Sequence, residues 1–336
     1  MSEPHNDFSH PSAPFDVPAR DAAGVPMSQG RPVPRRLGGS REVNRRAVLG
    51  GFVAASALLL AGCTSTVVGA AQRKAVPKAS ATVQPAVSTI EPAQTSVLGQ
   101  QVTIRGVGLQ NVKQVTFGDA TVAVSSASAD TVVATAPAAV NYQPGSVAVS
   151  LLGPSGSVLA SKPNALQYTS AGGAAAQMEY ALQHWNSYNT AQYGDLNPDG
   201  GDCANFVSQT LIARGWTMND DWYNHDAAAD WSPAWGYVPA MDQYFSDNAS
   251  SLGLEKLDFA SQADRAKAAL GDVAIFFWGD DTSPDHTQVV DKIDVVNGQY
   301  KISMASHNDD YDYRDLDTTI TTQHPGSTGH FWHLTR

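Results

Sequence analysis

The sequence is poor in three things, and each shortage excludes something. It has two cysteines in 336 residues, too few for a disulfide framework. It has no uninterrupted apolar run of about 18 residues or more, the length a stable membrane-spanning helix needs. Charge is sparse at 16 % and positive charge sparser still, with 21 Lys and Arg against 32 Asp and Glu and a net of −11. A nucleic-acid binder needs a basic face for phosphates, so nucleic acid is not an expected partner. What remains is ordinary for a folded chain: 42 % hydrophobic residues with 28 Gly and 19 Pro. The length suits two domains with appendages.

The N-terminal segment reads as an address. Residues 1–43 are rich in Pro, Gly and Ser, with no apolar period that would build a core. Arg45 and Arg46 then precede an apolar run from Ala47 to Gly62, too short to span a bilayer comfortably and of signal-peptide proportions. It ends Leu60-Ala61-Gly62-Cys63, which resembles a bacterial lipobox, and the arginine pair resembles a twin-arginine export signal. The resemblance implies a signal peptide over 1–62, lipidation of Cys63 and a flexible tether over 63–81. The mature protein is then expected on the outer face of the bacterial membrane, held there through lipid. Cys203 is left as a lone thiol in an oxidising compartment, which raises the question of its use.

Residues 82–170 carry short β-branched runs bounded by Gly, Pro or Asn, at 101–105, 112–117, 131–135 and 146–151. Alternation at period two over this spacing predicts an antiparallel sandwich. The stretch from Ile90 through Gly99, Gly106, Gly108, Gly118 and Pro137 to Tyr168 resembles the immunoglobulin-like IPT/TIG family. That resemblance implies a spacer without a site of its own.

Residues 171–175 read as a hinge, and 171–336 as a second, acidic domain. Met178, Ala181, Leu182 and Trp185 have helical spacing. The informative segment is Gly200-Gly201-Asp202-Cys203, followed by Phe206, Val207, Thr210 and Leu211 and closed by Gly215. Asp202 predicts an N-cap and Gly215 a stop, which places Cys203 in the first helical turn. There the free N–H groups and the helix dipole favour a thiolate. A base is available downstream, where His286 opens a predicted strand. A hairpin at Asn297-Gly298 returns the chain to His307 and Asn308, either of which can orient that base. Alternation along the strand puts these two on opposite faces, and His307 is preferred to Asn308.

These segments, with Gly271-Asp272-Val273, Asp285-His286-Thr287, Trp222-Tyr223-Asn224 and a strand at 330–334, resemble the bacterial "putative amidase" domain family. It is similar to the papain-like group that includes the NlpC/P60 and CHAP hydrolases. The resemblance implies an α+β papain-like domain with Cys203 as nucleophile and His286 as general base. His307 or Asn308 is then the third member, and no cofactor is required. The roles imply attack of the thiolate on an amide carbonyl and a thioester cleaved by water, with the Cys203 N–H as oxyanion donor and Asn197 as a second candidate whose turn-forming role competes. With export, the expected substrate is an amide of peptidoglycan stem peptides. An acyl transferase and a non-catalytic wall-binding protein are the rival readings.

Two further groups stand out. Trp222, Tyr223, Trp231 and Trp235 form an aromatic cluster able to wall a substrate groove. Asp195, Asn197 and Asp199 match the first half of a calcium loop, but Phe206 stands where the bidentate Glu belongs, so a solvated turn is the stronger expectation and no metal is assigned.

Overall fold

The computed structural model describes residues 83–335. The expected signal peptide, Cys63 and the whole of the tether lie outside the described residues. Among those described, no helix is long and apolar enough to cross a membrane.

Inward-facing Val102 and Ile104 alternate with more exposed neighbours along Gln100–Val107, the period-two pattern of a sheet with one buried face. This strand sits in a four-stranded sheet between Ala86–Glu91 and Thr131–Ala136, with Ser126–Ala127 outermost. A second sheet runs Gln94–Ser96, Val158–Thr169, Gly145–Leu152, Gln114–Phe117 and Ala120–Ala123. Val115, Val132, Val149, Leu151 and Leu166 are all fully buried. Gly99 (φ +82°) turns the chain where a Cβ would collide with the Ala136 and Pro137 backbone, so glycine is needed there.

The second region is a six-stranded antiparallel sheet with helices against one face. Its order is Leu254–Asp258, Thr328–Leu334, Val273–Phe277, His286–Val296, Gln299–Ser306 and Tyr311–Asp315. Asn297 (φ 53°) and Gly298 (φ 77°) make the two-residue turn between the fourth and fifth of these, as positive φ at both positions requires. The helices Gly173–His184 and Cys203–Arg214 pack on the sheet face that carries Val273, Ile275 and Val289. The other face holds Phe276, Val290, Met304 and Phe331.

The two regions are docked rather than loosely strung. Gly172 and Gly173 take left-handed φ, and the helix begins at Gly173, so most of the expected hinge is helix. The turn Val140–Tyr142 reaches across: the Tyr142 hydroxyl donates to the Asp291 carbonyl at 2.7 Å, and Gln143 donates to the Glu179 carbonyl at 3.2 Å. Tyr313 donates to Asn141 Oδ1 at 3.3 Å.

Asp291 sits fully buried on this contact. Its Oδ2 accepts the Tyr313 amide at 2.8 Å while Oδ1 has no partner. Burial pushes its carboxyl up to about 7. A carboxyl raised in the folded state adds nothing below its unfolded value and costs stability as pH rises from there to the folded value. Asp291→Asn removes that cost. At pH 8 the variant will be more stable than the wild type, by about 4 kcal/mol at most, and will melt at a higher temperature; the gap will close in scans at pH 4.

Candidate active site

The helix Cys203–Arg214 is buried at every position from Cys203 to Leu211, so its polar side chains must find partners inside. Asn205 Oδ1 accepts the Trp235 indole N–H at 2.7 Å, and Ser208 Oγ accepts that of Trp222 at 3.1 Å. Both tryptophans are fully buried. They brace the helix instead of walling a groove, which corrects the aromatic-cleft expectation. Tyr223, stacked on His225 at 4.8 Å, and Trp231 are half-buried and also lie outside the pocket described next.

A pocket of about 200 Å³ opens at the N-terminal end of this helix, lined by Cys203, His286, Trp278, Asn308, Arg314 and His324 among others. Trp278 is its aromatic wall, stacked on His324 with ring centres 3.9 Å apart. Gly201 (φ +135°) precedes Cys203 where a Cβ would press on the Asn308 amide at 3.1 Å.

Cys203 is 6 % exposed. Burial pushes its thiol up to about 11, with the Asp202 charge adding to the rise; the Thr287 and Ala204 amides oppose it. The helix terminus was expected to favour a thiolate, but here desolvation outweighs the amides. His286 is pushed down to about 3, first by burial and then by the charges of Arg314 and His324. The resting pair is thus a neutral thiol and a neutral imidazole. Among the described residues no hydrogen bond joins them; they share the walls of one pocket.

The third position is where sequence and structure part. His286 Nε2 lies 3.0 Å from Ser306 Oγ. That hydroxyl donates to the His307 carbonyl at 2.5 Å, so it accepts from Nε2–H, leaving Nδ1 as the basic nitrogen. His307 does not touch His286. Its Nδ1 meets Asp202 Oδ2 at 2.5 Å and its Nε2 meets the His184 carbonyl at 2.8 Å. The ring lies between Tyr188 and Phe206. Both ring nitrogens thus meet an oxygen, the Asp202 carboxylate on one edge and the His184 carbonyl on the other, which fixes the ring in place.

Asn308 lies in the pocket but away from the base. Its Oδ1 accepts the Asp202 amide at 2.6 Å, and its Nδ2 donates to Asn197 Oδ1 at 3.1 Å. Asn197 is therefore held in the loop before the helix and is not among the pocket's lining residues. Its own amide donates to Asp195 Oδ1 at 2.9 Å, a local turn. Asp199 closes a short 3-10 turn beside it. Among the described residues no three His, Cys, Asp or Glu side chains converge as a metal site.

Asp202 stands at the N-cap position, yet its side chain makes no cap bond. Its Oδ1 instead accepts the Leu196 amide and Asn205 Nδ2, both at 2.8 Å. The carboxylate is turned away from the first-turn amides, and they stay directed at the sulfur.

The sequence does not single out Ser306, Trp278, Arg314 or His324, and it marks Asp202 only as a helix cap. Ser306 carried one legible signal, the alternation that puts it on the opposite strand face from His307. Ser306→Ala is expected to lower kcat/KM roughly tenfold with little change in KM or melting temperature, as kinetics on a peptide amide beside a thermal scan will show.

Residues 85–168 match the model of the IPT/TIG domain, and residues 173–332 match the model described as "Putative amidase domain". No curated protein matches the chain significantly. Among solved structures, the Bacteroides ovatus mixed-linkage glucan utilization locus protein SGBP-B, in complex with a mixed-linkage heptasaccharide, is 21 % identical with a TM-score of 0.19. That match covers 23 % of this chain and 21 % of the other. Auxiliary nutrient binding proteins from Bacteroides ovatus and Bacteroides thetaiotaomicron match at 20 % and 22 % identity, each with a TM-score of 0.20. These matches cover 26 % and 25 % of this chain. The match takes in only about a fifth of each of the three chains, 21 %. The chain carries an IPT/TIG domain followed by a domain of the family described as "Putative amidase domain".

Proposed function

We propose that the second domain is a cysteine-dependent amide hydrolase of papain-like type. It acts on peptidoglycan stem peptides from a lipid-anchored position outside the cell. The observation that carries this reading is one pocket holding Cys203 at a helix N-terminus beside His286, whose Nε2 is committed to Ser306. The location and the wall substrate rest on the Leu60–Cys63 segment and on the amidase family match.

The chemistry follows from the resting protonation states. With thiol and imidazole both neutral, His286 Nδ1 takes the proton as Cys203 Sγ attacks the amide carbon, and no standing ion pair is needed. Contacts of this kind commonly tighten only when substrate is bound. The Cys203 and Ala204 amides, uncapped by Asp202 and directed at the sulfur in the resting site, are the donors assigned to the oxyanion that forms once the sulfur has attacked. The imidazolium then protonates the departing amine. Water, deprotonated by His286, cleaves the thioester and frees the thiol.

The test is incubation of the full exported chain, wild type and Cys203→Ala, with purified peptidoglycan, scoring new amino termini by mass spectrometry. New termini from the wild type alone support the reading and identify the bond. Silence from both proteins overturns it for this substrate, and silence with retained wall binding favours a binding module.

A further inference from the structure

Of the two buried arginines among the described residues, one is paired with a carboxylate and one is not. Arg265, 5 % exposed, holds Asp317 at 2.8 Å and the Phe259 carbonyl at 2.5 Å. Arg314, 8 % exposed, has no carboxylate within 4.0 Å among the described residues. Its Nε donates to Gln323 Oε1 at 2.8 Å, its Nη2 contacts His324 Nε2 at 3.5 Å, and its plane lies over the Tyr311 ring at 4.4 Å. Those contacts fix the guanidinium but leave both Nη1 donors and one on Nη2 uncommitted. The side chain lines the same pocket as Cys203 and His286. A buried cation whose direct contacts are all neutral is costly to hold, and Asp309 offsets the cost only through its charge at a distance.

We propose that Arg314 is the anion subsite of this pocket and takes a carboxylate carried by the substrate close to the scissile amide. The proposal rests on the amide-hydrolase reading above and narrows its substrate class to amides flanked by a free carboxylate. A guanidinium suits this because its planar fork accepts a carboxylate through two parallel bonds. The neighbouring pocket acids do not fill the place. Asp285 Oδ2 accepts the Trp278 amide at 2.9 Å, and Asp309 lies outside ion-pairing distance of Arg314 among the described residues. Trp278 and Gln323, through His324 and Nε, fix the fork as a preorganised receptor.

The test uses two alkylating reagents of nearly the same size, anionic iodoacetate and neutral iodoacetamide, on the full chain, with Cys203 labelling read by mass spectrometry. The ratio of their rate constants will fall roughly tenfold or more in Arg314→Gln, and Arg314→Lys will retain part of it. In the unmutated protein N-acetylglycine will protect Cys203 from iodoacetamide where N-acetylglycinamide does not, a measurement that needs no variant to fold. An unchanged ratio, or equal protection by the two, overturns the subsite while leaving the nucleophile assignment intact. Failure of both reagents to label Cys203 overturns the nucleophile assignment and the subsite with it.

Discussion

Cys203→Ala and His286→Ala will each lower amide hydrolysis roughly ten-thousandfold or more, and the double variant will lose no more than the worse single one. The two side chains are asked to act as one unit: sulfur supplies the bond and imidazole moves the proton, so removing either leaves the other without a task. Independent losses that multiplied would contradict a shared step. The same pair governs alkylation. Because burial holds the thiol up at about 11, the iodoacetamide rate of the free protein will keep climbing above pH 8.5 instead of levelling off below neutrality. A plateau near pH 6 would show a resting thiolate–imidazolium pair and contradict the buried neutral one.

The second large effect concerns stability. Asp202 and His307 are fully buried and face each other at 2.5 Å. Removing one member of a buried pair strands the other and costs about 3–5 kcal/mol, so Asp202→Ala will lower the melting temperature by on the order of 10 °C. Oδ1 of Asp202 also accepts two further hydrogen bonds, so Asp202→Asn, which keeps an oxygen there, will lose much less. A loss for Asp202→Asn equal to that of the alanine variant would place the energy in the charge, not in the bonds. His307→Leu should fall between them, and circular-dichroism melts of the three variants decide the order.

Much of the framework was legible in the sequence because it depends on local chemistry. The Asn297-Gly298 turn, the Gly215 stop and the strand opening at His286 each follow from the conformational preferences of a few neighbouring residues. The errors arose where long-range packing decides. Nothing local distinguishes a tryptophan that bonds Ser208 from one that walls a groove. The family pattern drew attention to His307 and Asn308, one and two residues past the side chain that meets His286. Asp202 has N-cap chemistry by type, and only the fold shows that its carboxylate is spent on a histidine 105 positions away. The thiol was misjudged for the same reason: helix termini can be read from sequence, desolvation cannot.

The contact through Tyr142 bears on how such a chain can recombine. Its hydroxyl ends on the carbonyl of Asp291, five residues along the strand that His286 opens. The β-module is therefore not an interchangeable cassette. A foreign module of the same fold, lacking a tyrosine at that turn, would leave a buried carbonyl without its donor on the strand that carries the base. Shuffling at the Gly172-Gly173 junction would have to preserve both faces of the contact, so the two halves of the described chain are expected to be inherited together.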